Sequence, residues 1–320
     1  MLFFRRFLNL PLMFYVLISF SGFVHADESM DSSKLEKVIV GLYPINIMSF
    51  DTHDGSLKMS FYVWYKTFNH DFKPDSVEVI NSPDAAITST STGENKGKQY
   101  FTTIHYQATL DHHWSFKDFP FDCQTFKVIL EAANPIDVMK LVPDYEQSNP
   151  NTNIKIDNWK FVKSFIESSE TLYNTNFGDM SGYGSKYSRV TFYYQYQHEG
   201  WRIFLNLFGA FFVCAIFCIM TNLFDDSDIR IQLILTAVIG FIGNKYIVDG
   251  IVPEVSEFTL SDAIQAATFA TMLIALAGLL VERYIEDKYK KPINMTFTAV
   301  SSIGYIGYVS YQLYSALYAF

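Results

Sequence analysis

The segment from Asp228 to Pro253 constrains this chain most, because it is long and apolar enough to be a membrane helix yet has polar residues along one side. At about 100° per residue, six of its positions fall within about 80° of one another on a helical wheel. We call these residues the stripe: Asp228, Gln232, Thr236, Ile239, Gly243 and Tyr246. Polar residues in a membrane helix face the bundle interior or water rather than lipid. The stripe is therefore typical of a helix that lines a pore.

A second interpretation of the segment stays open at this point. Ordinary membrane helices also carry small and polar residues where they pack against neighbouring helices. Composition favours a chain divided in two, since 49% hydrophobic residues and a slightly positive mean hydropathy are too apolar for a purely soluble protein. The same values are too polar for a membrane bundle alone.

The N-terminus has the organisation of a secretory signal. Arg5 and Arg6 precede an apolar run over 7–20, and small residues follow at 24–26. We expect a signal peptide over 1–26 and a mature chain that begins outside the cytoplasm.

The rest of the chain divides near residue 200. No stretch over 27–200 is long and apolar enough to span a bilayer, whereas four later stretches are: 201–223, 229–248, 260–284 and 293–320. The link between the third and fourth predicted spans contains four basic residues: Arg283, Lys288, Lys290 and Lys291. Basic links favour the cytoplasm, so both ends of the mature chain are expected outside.

The region over 27–200 is predicted to be an antiparallel β-sandwich. Short runs rich in Val, Ile, Tyr, Phe and Thr recur between turn signals: Met59–Thr67, Gln99–Leu110, Phe126–Ala132, Trp159–Ile166 and Arg189–Gln197. In the last run, polar residues alternate with Val190, Phe192, Tyr194 and Tyr196. This period of two predicts a strand with one face on a core.

Several function classes have no support in the sequence. A net charge of -9 disfavours nucleic acid as a partner and makes a cation the more natural guest. No nucleophile elbow, phosphate-binding glycine loop or zinc-protease motif occurs, so neither an enzyme nor a cofactor is expected. His105, Asp111, His112 and His113 could bind a metal, but adjacent strand residues point to opposite faces. Core or solvated histidines are the favoured interpretation, and we expect no metal site.

One motif carries a family resemblance. Phe119-Pro120-Phe121-Asp122-Cys123-Gln124 closely resembles the central motif of the Cys-loop superfamily of pentameric ligand-gated ion channels, which lies at the base of an extracellular sandwich. The segment from Phe72-Lys73-Pro74-Asp75 to Asn81 is similar to the strand before the family's first ligand-binding loop, with Phe72 replacing a tryptophan. The loop cysteines are absent, since His112 and Phe126 stand in their places. This departure is typical of the family's prokaryotic members.

The resemblance covers essentially all of the mature chain and implies a homopentamer in lipid of the bacterial inner membrane, with a periplasmic N-terminal domain and C-terminus. The family's pore positions coincide with the stripe. A ring of Asp228 side chains would select inorganic cations, and a ring of Ile239 side chains would form a hydrophobic gate. In the competing interpretation, Asp225 and Asp226 simply begin a helix, where acids suit the positive end of the helix dipole.

Two basic residues of this segment lie off the stripe. Arg230 points about 160° away from it, so we expect Arg230 to snorkel or to pair with an acid. Lys245 is expected to reach the outer interface or a neighbouring subunit.

The resemblance also implies which residues couple the sandwich to the membrane helices during gating. Pro120 and Asp122 would press on the loop that joins the second and third spans, which includes Pro253. Asp122 and Arg202 are expected to join a charge cluster at this boundary.

The ligand site is the least determined feature. A family-like site between subunits would use aromatic and acidic residues, which can hold an ammonium group by cation-π attraction and charge pairing. The candidates are Trp64, Glu131, Asn134, Tyr173, Phe177, Tyr183 and Tyr187. Each aromatic side chain could equally belong to the core. The agonist could be a proton, a divalent ion or a small molecule such as an amine. The alternative function is a non-conducting pentameric sensor or scaffold with the same architecture.

Overall fold

The computed structural model describes residues 35–52, 54–95, 97–178, 186–252 and 255–318. The predicted signal peptide and the candidate residues Tyr183 and Pro253 lie outside the described residues. The first half of the described chain forms two β-sheets, and the second half forms four long helices.

The sheets contain nine strands in the described part of the chain. These are β1 Glu36–Asp51, β2 Ser56–Thr67, β3 Val77–Val79, β4 Ala86–Asn95, β5 Gln99–Asp111, β6 Cys123–Pro135, β7 Met139–Pro143, β8 Trp159–Leu172 and β9 Lys186–His198. One sheet has the order β4-β5-β2-β1-β7, and the other has the order β3-β6-β9-β8. Each of the five predicted strand runs lies within an observed strand.

The sandwich is antiparallel except at one edge. β7 pairs with β1 in parallel, from Glu36 opposite Met139 to Val40 opposite Pro143. The physical reason is the connection before β7. β6 belongs to the second sheet and β7 to the first, so the chain crosses between the sheets instead of folding back as a hairpin.

The core lies between the two sheets, as the alternation in β9 predicts. The four alternating residues from Val190 to Tyr196 are at most 3% exposed. Three residues of the neighbouring strand β6 are equally buried: Phe126, Val128 and Leu130. The apolar face of β9 is thus covered by side chains of the same chain.

The helices are α1 Trp201–Thr221, α2 Ser227–Asp249, α3 Leu260–Glu282 and α4 Asp287–Leu317. By length and composition, α1, α2 and α3 are apolar enough to cross a membrane, which marks the chain as membrane-embedded. The fourth predicted span is a helix of 31 residues, but it is not among the helices that meet this criterion. Its sequence is rich in Ser, Thr, Gly and Tyr, which lower its hydropathy.

Local sequence explains where two of these helices begin. The side chain of Asp226 caps α2 by accepting a hydrogen bond of 2.8 Å from the backbone N–H of Asp228. α3 begins with a capping box, in which Thr259 and Asp262 each accept a hydrogen bond from the other's backbone N–H.

Candidate pore helix, coupling junction and ligand cavity

The stripe lies on the uncovered side of α2. All six of its residues are exposed in the single chain, with Ile239 65% and Tyr246 85% exposed. The buried residues of α2 are Arg230, Ala237, Asn244 and Val248. In the apolar 18-residue stretch of α2, only 11% of the residues are buried, whereas the corresponding shares are 39% in α1 and 44% in α3. The other helices of the chain therefore cover the opposite side of α2 and leave the stripe free.

The polar groups of the stripe are arranged in order along the helix. Asp228 lies in the first turn, and the Thr236 hydroxyl donates a 2.8 Å hydrogen bond to the carbonyl of Gln232. A Cβ added at Gly243 would meet no atom within 4 Å, so the surface beside Ile239 is open. The helix thus offers oxygen atoms at one end, a branched apolar side chain near its centre and open space beyond.

The acids at the start of α2 separate into two roles. The Asp226 carboxylate caps the helix, as the helix-start interpretation predicts for this residue. Asp225 and Asp228 are exposed. Asp228 therefore places a carboxylate on the stripe that does not cap the helix.

Arg230 pairs with an acid on the opposite side of α2, as predicted. Its guanidinium forms an ion pair with Glu282 at the end of α3. Nη2 also donates a hydrogen bond of 3.0 Å to the Asn222 side chain just after α1. The Arg230 side chain is fully buried. It therefore adds no charge to the stripe.

Lys245 lies off the stripe, as expected, but its partners are in the same chain. Its Nζ atom lies 2.8 Å from a carboxylate oxygen of Asp249, one turn along α2. It also donates a hydrogen bond of 2.9 Å to Gln265 of α3. These contacts direct the ammonium group toward α3 rather than toward the stripe.

The family-like motif lies where the sandwich meets the helices. Phe121 is 3% exposed, and its ring centroid lies 4.9 Å from that of Trp201 and 5.4 Å from that of Phe204. A Cβ at Gly200 would lie 1.8 Å from the carbonyl oxygen of Pro120, so only glycine permits this approach. The motif is therefore packed directly against the start of α1.

A backbone contact also joins the loop before the motif to the start of α3. The N–H of Leu260 donates a 2.8 Å hydrogen bond to the carbonyl of Lys117. In the same region, burial raises the pKa of Asp118. A movement of this loop would thus act on both α1 and α3.

The structure does not bring Asp122 and Arg202 together within one chain. The buried carboxylate of Asp122 accepts a 2.7 Å hydrogen bond from the Gln124 amide and lies 3.3 Å from Nδ1 of His198. Arg202 is exposed, and no ion pair joins it to an acid in the described ranges. The predicted charge cluster is replaced by a buried polar network, because Gln124 and His198 satisfy the short Asp122 side chain first.

His112 belongs to the same network. Its Nε2 atom lies 3.3 Å from the side-chain oxygen of Gln124, and burial lowers the His112 pKa to about 4. His105 pairs with Ser60 at 2.7 Å. No group of three or more metal-ligating side chains occurs among the described residues. His112 is thus a buried core residue, and His105 is half-buried with a serine partner.

Four of the candidate ligand residues line one cavity of about 410 Å³ on the sandwich: Glu131, Tyr173, Phe177 and Tyr187. The three aromatic rings meet edge to face, with centroids 5.2–5.9 Å apart. Glu78 adds a second carboxylate to the lining. The cavity thus combines aromatic faces with acids, the combination that suits an ammonium group.

Glu131 already has a cationic partner that sequence reasoning missed. Arg189 lies opposite Glu131 in the β6–β9 register, and the two side chains form an ion pair at 2.6 Å. The Tyr173 hydroxyl donates a 2.7 Å hydrogen bond to Glu131, and this contact raises the Tyr173 pKa. Because Arg189 already pairs with this carboxylate, a cationic ligand would have to displace or share Arg189.

Trp64 and Asn134 lie outside this cavity. The Trp64 indole donates a 2.9 Å hydrogen bond to Asp144, which also accepts from Lys66 at 2.6 Å. Trp64 and Lys66 line a separate cavity of about 410 Å³ on the first sheet. A Cβ at Gly41 would lie 2.2 Å from the Trp64 ring, so a glycine is needed where this ring lies on β1. Asn134 is half-buried in β6 and is not part of either lining.

No family model matches the chain. No curated protein matches it either.

Proposed function

We propose that this chain is one subunit of a pentameric, cation-selective, ligand-gated ion channel whose pore is lined by α2. The observation that carries the proposal is the exposed stripe on a membrane-length helix. A polar stripe of this kind is disfavoured against lipid. Because the other helices of the chain leave it uncovered, water in a pore shared with further copies is the environment that suits it.

The flanks of the stripe support an assembly of several copies. Ile231 and Ile242 on one flank are 43% and 62% exposed, and Ile229 and Ile247 on the other flank are 40% and 55% exposed. Neighbouring copies of α2 in a ring would cover these flanks and leave the stripe facing the central axis. A closed ring buries equivalent surfaces on every subunit.

The order of side chains along the stripe supports the proposed selectivity and gate. A ring of exposed Asp228 carboxylates attracts cations and repels anions at one end of the pore. A ring of Ile239 side chains near the centre closes a narrow pore by excluding water. The fully buried Arg230 does not offset the carboxylates within the pore.

The contacts at the junction support gating by the sandwich. Pro120 lies against Gly200, Phe121 packs on α1, and Lys117 is hydrogen-bonded to Leu260. A change in the sandwich that moves this loop would pull on the ends of α1 and α3. The signal then reaches α2 through its contacts with both helices.

The two cavities on the sandwich support a ligand site between subunits. The aromatic cavity lies on the sheet of β6 and β9, whereas Trp64 lies on the sheet of β2. In a ring, the Trp64 face of one subunit would adjoin the aromatic cavity of the next. The agonist would be a small molecule with an ammonium group, or a proton acting on the titratable groups of the sandwich.

The proposal includes a membrane topology. α4 is taken as the fourth span, and the basic link around Lys288 is taken as cytoplasmic. The sandwich and the C-terminus would then lie in the periplasm of a bacterial inner membrane, with lipid around the bundle.

The experiment is current recording from Ile239→Ala channels in oocytes under Na⁺, K⁺ and Cl⁻ gradients. Weakening the gate should produce a leak that reverses at the cation potential. Ile242→Ala is the matched control, because Ile242 is equally exposed on the same helix but lies off the stripe. Silence from surface-expressed, pentameric protein would favour the non-conducting sensor instead.

A further inference from the structure

We propose that Arg230 and Glu282 tie the sandwich-distal end of α2 to α3 and thereby hold Asp228 and Gln232 toward the ion pathway. The inference rests on the proposed channel function. It assigns Arg230 as a positioning residue for the pore, although its side chain lies on the opposite side of the helix. We call the pair, together with Asn222, the distal tie.

The distal tie joins three helices through one side chain. Arg230 is the largest fully buried residue in the described part of the chain. One guanidinium nitrogen is paired with Glu282 in the last turn of α3, and another donates to Asn222 at the C-terminal end of α1. Nε has no hydrogen-bond partner among the described residues. These two are therefore the direct polar contacts of the guanidinium, and the exposed Asp225 acts on it electrostatically from outside the tie.

The surroundings of Asn222 leave little freedom for adjustment. A Cβ at Gly278 of α3 would lie 2.8 Å from the Asn222 side-chain oxygen and 3.4 Å from the Phe297 ring of α4. Asn222 is itself 4% exposed. The tie is therefore enclosed by all four helices.

The tie is the polar contact that sets the rotation of the distal half of α2, beside the apolar packing of Ile234, Val238 and Phe241 on the neighbouring helices. Arg230 lies two residues from both Asp228 and Gln232, which places it about 200° from each around the helix. Near the other end of α2, Asn244 donates a 2.7 Å hydrogen bond to the carbonyl of Leu207. Between these two polar contacts, Ala237 is the buried residue of α2. Loss of the distal tie thus leaves the distal half of the helix without a polar anchor.

Charge explains why the helix would turn. A buried guanidinium without its carboxylate is strongly unfavourable, so it moves to water if the helix can rotate. Rotation that exposes Arg230 turns Asp228 and Gln232 away from the axis. We therefore expect removal of Glu282, which lies on a different helix, to change ion selectivity at Asp228.

The test compares Glu282→Gln with Glu286→Gln in the Ile239→Ala background. Both changes remove one acid in the same region, but Glu286 is 73% exposed and pairs with Lys288. The expected result is loss of Na⁺-over-Cl⁻ preference in Glu282→Gln, with preference retained in Glu286→Gln. The exchange R230E/E282R should restore the preference, because it restores the pair with its sign reversed.

A second readout does not require conduction. An Asp228→Cys thiol, in a Cys123→Ser background where Cys214 and Cys218 are buried, reports its own exposure through its reaction rate with a charged, water-soluble thiol reagent. Glu282→Gln should slow the reaction relative to Glu286→Gln, and R230E/E282R should restore the rate.

The outcomes separate the tie from the channel. If currents flow but Glu282→Gln changes neither selectivity nor thiol reactivity, the tie is refuted and the channel stands. If no variant conducts, the channel proposal fails, and the thiol rates alone decide the tie. If Glu282→Gln does not fold, the exchange R230E/E282R tests the tie instead. The tie requires that the exchanged pair lets the protein fold and keeps the thiol at position 228 reactive.

Discussion

Strand β9 and helix α2 are both two-faced elements, but they find their partners in different places. The apolar face of β9 is covered by β6 and the opposing sheet of the same chain. The stripe of α2 is left uncovered by the chain, although the helix is as long as its neighbours. A face that the chain itself buries reports on folding. A face that it leaves open on a membrane-length helix indicates what surrounds the single chain.

The largest expected effect contrasts these two faces directly. Phe192 is 1% exposed in the sandwich core, so Phe192→Ala should lower the free energy of unfolding by about 3–5 kcal/mol through the cavity it leaves. Ile239→Ala removes a side chain that is 65% exposed in the single chain and should leave the unfolding transition of the sandwich nearly unchanged. The measurement is thermal unfolding of purified protein followed by near-ultraviolet circular dichroism. Equal losses in the two variants would contradict the contrast.

The second effect concerns a buried titratable group in the sandwich. The pKa of His112 is lowered to about 4 from its ordinary 6.5, so the unfolded chain binds the proton more readily. Stability due to neutral His112 is present above pH 6.5 and is lost as the pH falls toward 4. Because one pKa unit corresponds to 1.36 kcal/mol, the free energy of unfolding should fall by about 3 kcal/mol over this range.

His112→Gln tests this effect, because glutamine keeps a polar group beside Gln124 but does not titrate in this range. Unfolding midpoints of the two proteins should diverge less at pH 4 than at pH 7, since only the parent loses the His112 contribution. Parallel pH profiles would show that His112 does not supply the pH dependence.

The third effect falls where the two regions meet. In Gly200→Ala the added Cβ would overlap the carbonyl of Pro120, and backbone must move to admit it. Overpacking of this kind costs about 1–3 kcal/mol. Gly209→Ala on α1 is the matched control, because a Cβ there meets no atom within 4 Å. In Gly200→Ala the unfolding midpoint should fall and agonist-independent opening should change. Gly209→Ala should leave opening unchanged and should not lower the midpoint, because alanine is favoured over glycine in a helix interior by about 0.5–1 kcal/mol.

The sequence predicted elements whose pattern reflects their own burial. β9 alternates strictly and was predicted to within a few residues, and the four helices begin or end close to the predicted bounds. β4 is exposed at almost every position and shows no alternation, so its sequence contains no such signal. β7 is five residues long and depends on its parallel pairing with β1. β4 therefore depends on its pairing with β5, whereas β7 alternates buried and exposed residues but is too short for this period to be recognised from the sequence.

The candidate sites divide in the same way. Gln124 lies two residues from Asp122 and could have been considered from the sequence, whereas His198 is 76 residues away. Arg189 is separated from Glu131 by 58 residues and meets it only through the β6–β9 register. The stripe needed only helical periodicity, which is local. Long-range polar partners require the fold.

The smallest expected effect on stability accompanies a change in selectivity. Asp228 is exposed in the first turn of α2, where its interaction with the helix dipole contributes about 0.3–1 kcal/mol. Asp228→Lys should therefore cost little stability. In the Ile239→Ala background, the current through this variant should reverse closer to the Cl⁻ potential.

Asp226→Lys is the comparison, since it removes the cap of α2 and should affect stability more than selectivity. If the two substitutions shifted the reversal potential equally, general charge at the helix start would explain selectivity. A shift confined to Asp228→Lys would instead assign it to the stripe, the face that the single chain leaves uncovered.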